Sequence, residues 1–251
     1  VAAKWNSPGV VAGPVQCEGG TVEPDMWGRA YFADSCTSGN YSNTQYVAMK
    51  LLGKRLTYTT DLSKSGCGCN TAMYLVSMRQ NTEASGCSDY YCDANSVCGP
   101  NCAEIDIQEA NRFAWHSTLH TAYDGNGVSG GYGGWVHNNN QYDFGAEEYG
   151  PDGRCVNTKK PFQVSTAFPT GAGGKLRAME VTLSQADSPC SVSITLGSYG
   201  ADAGFEQLTK ALEDGMTPVV SYWQSSDMLW LDGPGVGGGP CTVDDTPCDG
   251  A

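Results

Sequence analysis

Residues 102–111 read CAEIDIQEAN and place three carboxylates, Glu104, Asp106 and Glu109, within six positions, with Ile105 and Ile107 between them. The alternation predicts a strand. Glu104, Asp106 and Gln108 fall on one face; Ile105, Ile107 and Glu109 fall on the other. Glu109 is therefore out of phase. One β-bulge between Asp106 and Glu109 would turn it onto the acidic face, and bulges often re-aim side chains in this way. The three carboxyl groups would then line one patch while the isoleucines pack into a core behind it.

Carboxylates this close cannot all stay ionised cheaply, and mutual repulsion raises at least one pKa toward neutrality. Glycoside hydrolysis with retention needs that asymmetry: one ionised nucleophile and one protonated acid about 5–5.5 Å away. The middle carboxyl, Asp106, is placed to hold the charge of Glu104. A solvated acidic face or a calcium site would also crowd carboxylates. Calcium loops, however, intersperse Gly and Asn among their ligands, not isoleucine.

Around this strand the chain of 251 residues fits one large domain, 1–251, without internal repeat or long linker. Only 16% of residues are charged and 33 are Gly, which favours strands and tight turns over helical bundles. Strands are predicted at 54–63, 71–78, 161–169, 175–183 and 191–196. Two more are predicted at 217–223 and, over DMLWLD, at 227–232. One helix is predicted at 204–215, where Phe205, Leu208 and Leu212 share a face and Gly215 supplies the stop. The first 45 residues show little periodicity. Residues 124–155 are rich in Gly and Asn and read as disordered or as a functional surface loop. Many strands with one short helix predict an all-β, antiparallel β-sandwich with long loops.

A net charge of −13 disfavours nucleic acid and anionic membrane surfaces, which require a basic patch. No apolar run approaches the ~20 residues of a membrane helix. Twelve cysteines predict up to six disulfides and an oxidising, extracellular compartment. The alternative, thiolates on a metal, lacks paired CxxC knuckles. The chain opens at Val1 without Met, and Asn40-Tyr41-Ser42 is a glycosylation sequon; both fit a processed secreted protein. His116 and His120 are spaced as zinc ligands on a helix would be, but HSTLH does not read as a helix and lacks the Glu of a zinc protease. There is no G-x-S-x-G elbow, and the Gly-rich runs lack the Lys of a phosphate loop. No metal and no cofactor is expected.

EIDIQEAN resembles the catalytic stretch of glycoside hydrolase family 7, the cellobiohydrolases and endo-β-1,4-glucanases, which carries E-M-D-I-W-E-A-N. LLGKRLTYTTDLS (51–63), CGCNTAMYLVSM (67–78), YCDA (91–94) and DGMTPVVSYWQSSDMLWLD (214–232) are similar to family segments in the same order. The resemblance implies Glu104 as nucleophile, Asp106 as its orienting partner and Glu109 as general acid/base. It also implies His120 near the leaving-group site, Asn70 and Tyr74 beside the nucleophile, and Trp223 and Trp230 as sugar-stacking platforms. Gln108 replaces the family's Trp within the motif and is grouped with the substrate contacts; Ala103 replaces its Ser. Trp27, Trp115 and Trp135 are further stacking candidates, Trp135 on a loop.

The expectation is a secreted, monomeric, retaining endo-β-1,4-glucanase that acts on β-glucan polysaccharide in an open cleft. Its fold would be a curved, concanavalin-like jelly roll. The related family 16 shares the sandwich and an acidic motif, so a β-1,3 or mixed-linkage glucanase is an alternative. A carbohydrate-binding lectin would not need the acid pair. A polysaccharide lyase would need cations to neutralise a uronate, and the chain has only 14 Lys and Arg.

Overall fold

The computed structural model describes residues 13–37, 39–135, 142–199, 202–235, 237–242 and 248. An N-terminal hairpin, β1 (Val15–Glu18) and β2 (Thr21–Pro24), leads into β3 (Gly28–Tyr31). The middle of the chain supplies β4 (Arg55–Thr60), β5 (Cys69–Val76), β6 (Glu104–Ala110), β7 (Trp115–His120) and β8 (Val128–Tyr132). Two short strands follow, β9 (Tyr149–Gly150) and β10 (Val156–Asn157). Then come β11 (Phe162–Ala167), β12 (Met179–Ser184) and β13 (Val192–Leu196). The chain closes with helix α1 (Asp202–Asp214), β14 (Thr217–Gln224) and the short helix α2 (Leu229–Asp232).

These strands form two principal antiparallel sheets. One has six strands in the order β3-β14-β5-β6-β7-β8, and the other has four in the order β13-β12-β11-β4. Residues of both meet in one core: Ile105 and Ile107 of β6 and Trp115 and Leu119 of β7 join Phe162, Val164, Val181 and Ile194 from the smaller sheet. Helix α1 adds Leu208 and Leu212 to the same core, as their spacing requires. At its end Gly215 adopts φ +100°, and a Cβ there would meet the backbone of Ala48 within 3 Å, so the stop needs glycine.

The two sheets differ in burial. β12 and β13 alternate buried and wetter positions, as a sheet with one solvated face should. Every residue of β7, and all of β6 but one, is buried. The outer face of the large sheet is therefore covered too. Part of the cover is a second cluster in which Tyr31, Tyr74, Val76, Met78 and Val219 pack against Tyr91 and the half-cystines Cys87, Cys92 and Cys98. Disulfides Cys87–Cys98 and Cys92–Cys102 tie residues 79–102 down as that cover.

Several expectations are corrected. The DMLWLD segment is not a strand; it turns through α2. Residues 124–155 contain β8, which completes the large sheet, and also β9, with β10 just beyond them; residues 136–141 lie outside the described residues. The aperiodic first 45 residues contain three strands, because the positions are too few and too mixed for alternation to register. Ten cysteines form five disulfides, the other three being Cys67–Cys241, Cys69–Cys248 and Cys155–Cys190. Cys17 and Cys36 are exposed and unbonded, so the five bridges fall within the expected maximum of six. No described helix is long and apolar enough to cross a membrane.

Candidate active site

The bulge predicted from sequence is present. Against β7, Asp106 pairs with Thr118 but Glu109 pairs with His116; against β5, Asp106 pairs with Tyr74 but Gln108 pairs with Met73. Ile107 is passed over in both registers. The extra residue brings Glu109 into phase with Glu104 and Asp106, and all three line one cavity of about 390 Å³. That volume lies within the range of small-molecule sites, ~300–1,000 Å³. Tyr74, Tyr91, Asp93, Arg29, Trp27 and Trp223 complete much of its wall.

Each acid has its own support. The Ala94 backbone N–H donates to Glu104 Oε2 at 3.0 Å. Asn70 Nδ2 donates to Glu109 Oε1 at 2.9 Å. Asp106 Oδ2 lies 3.0 Å from His120 Nε2, while His120 Nδ1 lies 2.8 Å from the Asp124 carbonyl. A carbonyl only accepts, so Nδ1 carries a proton. The Nε2–Asp106 contact then holds one further proton: either an imidazolium donates to a carboxylate or a carboxylic acid donates to a neutral imidazole.

Burial raises all three acids. Glu104 is pushed well above the usual carboxylate range by desolvation and by the nearby Asp106 and Asp93, against a smaller pull from His120 and the Ala94 N–H. Asp106 rises to about 8 through burial and Asp93. Glu109 rises to about 8 through burial and Asp106, with Asn70 holding it down in part. The cluster has more carboxyl groups than charges it can hold.

The fourth acid, Asp93, is the main element missed from sequence. It is buried, accepts the Val97 N–H at 3.1 Å through Oδ1, and its pKa is raised chiefly by desolvation. YCDA marked the segment, but nothing in four residues says that two disulfides fold Asp93 against β6. Arg29 was missed as well. It is buried, with its guanidinium 4.0 Å from the Tyr91 ring centre, and it is the cation of the cavity wall. Its charge opposes the rise of Asp93.

Other candidates are redistributed. Gln108 is not a cleft residue: it points between the sheets, accepting from Tyr58 Oη at 3.2 Å and donating to Thr60 Oγ1 and the Thr71 carbonyl. The bulge that brings Glu109 out turns Gln108 in. Asn70 donates to Glu109, and His120 backs Asp106. Tyr74 lines the cavity, with its hydroxyl 2.9 Å from that of Tyr91. Trp223 lines the cavity, whereas Trp230, on α2, lies outside its lining and packs edge-on to His116. Trp27 is in the wall, Trp115 is core, and Trp135 is exposed. Asn111, at the end of the motif, is structural: its Nδ2 donates to Asp232 Oδ2 at 2.6 Å, and its Oδ1 caps the N–H groups of Phe113 and Ala114.

The model of the family described as Glycosyl hydrolase family 7 matches residues 29–98. The endoglucanase EG-1 of Hypocrea jecorina is 30% identical over 237 residues, covering 80% of this chain and 49% of that protein. The probable endo-beta-1,4-glucanase celB of Aspergillus fumigatus is 29% identical over 244 residues, covering 78% and 58%. The chain thus spans about half the length of the curated relatives it matches. Among solved structures, the Humicola insolens endocellulase EGI superposes with a TM-score of 0.64 at 24% identity, covering 91% of this chain and 71% of that one. The family 7 cellobiohydrolase of Daphnia pulex gives 0.59 at 22% identity, covering 80% and 66%. Both share the β-sandwich. Residues 29–98 thus match the model of glycosyl hydrolase family 7, most of the chain is similar in sequence to these endoglucanases, and it shares the β-sandwich fold with these solved structures.

Proposed function

We propose that the chain is a secreted, retaining endo-β-1,4-glucanase. One observation carries the reading: the bulge in β6 gathers Glu104 and Glu109 on one cavity wall in different environments. Glu104, held by the Ala94 N–H and facing the Asp106–His120 proton pair, is the nucleophile. Glu109, with a pKa of about 8, carries a proton at neutral pH and is the acid.

Glu104 attacks the anomeric carbon while Glu109 protonates the departing glycosidic oxygen. The bond to that oxygen breaks and an ester to Glu104 forms. Glu109, now ionised, takes a proton from water; the water oxygen attacks the same carbon and releases Glu104. Glu104 carries its charge most easily while the proton shared by Asp106 and His120 sits on Asp106, because a neutral Asp106 does not repel it. Trp223 offers an apolar face to a pyranose ring. A net charge of −13 is compatible with a neutral glucan. The endoglucanase names of the curated relatives support β-1,4 linkage and internal cutting, and the disulfides support an extracellular setting. The chain acts as a monomer, without a nucleic-acid or membrane partner.

The test is reducing-end release from β-1,4, mixed-linkage and β-1,3 glucans by wild type and Glu104→Gln in parallel. Release from β-1,4 glucan by wild type alone is expected. Equal release by both removes Glu104 from its role. Preference for β-1,3 glucan removes the linkage assignment. Binding without release replaces the enzyme by a lectin.

A further inference from the structure

The proposed mechanism makes no use of His116, yet the fold sets it on the cleft side of the sheet. It pairs in register with Glu109 across β6 and β7, and directly opposed residues of an antiparallel pair share a face. His120, Thr118 and His116 thus stand opposite Glu104, Asp106 and Glu109 in turn. The other face of β7 carries Trp115 and Leu119 into the core. His116 is 2% exposed.

Two contacts leave this imidazole in the same direction. Nε2 lies 2.8 Å from the Gly133 carbonyl, so Nε2 bears the proton and donates. The ring edge meets Trp230, with centroids 6.3 Å apart and planes at 76°. Gly133 and Trp230 belong to one laminated unit. The Trp135 N–H donates to the Trp230 carbonyl at 2.8 Å, and the Gly134 N–H donates to the Gly233 carbonyl at 3.0 Å. The backbones approach so closely that a Cβ on Gly134, at φ +47°, would lie 2.1 Å from the Trp230 oxygen. The unit carries Trp230 and the exposed Trp135, both aromatic faces that a sugar could cover. His116 joins it to the strand pair at the level of Glu109.

We infer that His116 is a positioning residue. It pins the Gly133–Trp135 segment and α2 against the acid, and so sets how firmly the leaving-group part of a glucan is held. The inference rests on the proposed glucanase reading, in which Glu109 faces the leaving group. Its signature is selective. Substrates with a sugar on the leaving side should depend on His116; substrates with an activated aryl group there should not.

The experiment compares wild type, His116→Ala and His116→Gln on cellotetraose and on a dinitrophenyl cellobioside. His116→Ala should raise KM for cellotetraose about tenfold, the size of one hydrogen bond plus one aromatic contact. It should change kcat/KM for the aryl substrate by less than about threefold. His116→Gln, which keeps an N–H donor for the Gly133 carbonyl, should recover part of the loss. Equal losses on both substrates, or none on either, overturn the inference. If His116→Ala does not fold, His116→Gln carries the same comparison, with a smaller loss confined to cellotetraose. Calorimetric binding of cellotetraose to Glu104→Gln, with and without His116→Gln, separates the two readings. Weaker binding in the double variant supports the pin even where no substrate is cut. Unchanged binding removes it.

Discussion

The two faces of β6 are buried to nearly the same degree and do opposite things. Ile105 and Ile107 face the smaller sheet at 0% exposure; Glu104 and Asp106 face the cavity at 7% and 6%. On the core side, burial is the driving force, worth roughly 1.5–3 kcal/mol for each large aliphatic side chain. On the cavity side the same burial is a cost, because desolvation heads the causes that raise all three acids. Low solvent access therefore does not tell core from site. What separates the faces is whether the buried groups relieve one another. Gln108, facing inward, has three polar partners and is satisfied. The acids have fewer donors than oxygens, and the cluster keeps protons on some of them instead.

The comparison can be broken most sharply by activity. Glu109→Gln should cut turnover of unactivated glucans by ~10²–10⁴, the usual worth of a general acid. It should cut turnover of an aryl glycoside with a good leaving group far less. Equal losses would move the acid elsewhere.

Stability should respond the other way round. Ile107→Ala should cost about 2–5 kcal/mol in chemical denaturation, as core truncations do. Glu109→Gln should cost little or raise stability at pH 8, since it removes a carboxyl that the fold keeps from ionising. A large loss from Glu109→Gln would show that its charge contributes to folding.

The acids also give stability a pH slope. Asp106 and Glu109 titrate near 8 in the folded chain, above their ordinary values of 3.8 and 4.5. Between about pH 5 and 8 the folded state therefore holds more protons than the unfolded one. Stability should fall as pH rises through this window, by up to ~1.4 kcal/mol per pH unit for each such group. Thermal unfolding from pH 5 to 8 measures it, and Glu109→Gln should flatten the slope. A flat wild-type profile would remove the raised pKa values.

The smallest effect concerns Asn70. Its N–H favours the ionised form of Glu109. Asn70→Ala should move the basic limb of kcat/KM upward by less than about one pH unit, the scale of a single hydrogen bond. A downward move would reverse the assignment.

Much of this was legible in the sequence where one period dominates. The acid/isoleucine alternation fixed β6, and the phase of Glu109 required the bulge. Leu208 and Leu212 with Gly215 marked α1. What failed depends on packing that periodicity does not encode. Gln108 was placed by the parity of an unbulged strand, and the bulge itself reversed it. LWLD reads as a strand by composition, but Asp232 draws donors from Gly68 and Asn111, and these ties accompany the turn into α2. Asp93 and Arg29 reach the cavity through segments without alternation, brought there by disulfides and tyrosine stacking.

The central claim is that β6 presents Glu104 as the nucleophile and Glu109 as the acid. The direct measurement is to trap the intermediate with a 2-deoxy-2-fluoro cellobioside carrying a good leaving group, then map the labelled peptide by mass spectrometry. A single glycosyl adduct on Glu104 is expected, with Glu109→Gln still forming it. An adduct on Glu109 or Asp106, or turnover that gives an inverted product with no adduct, would contradict the account.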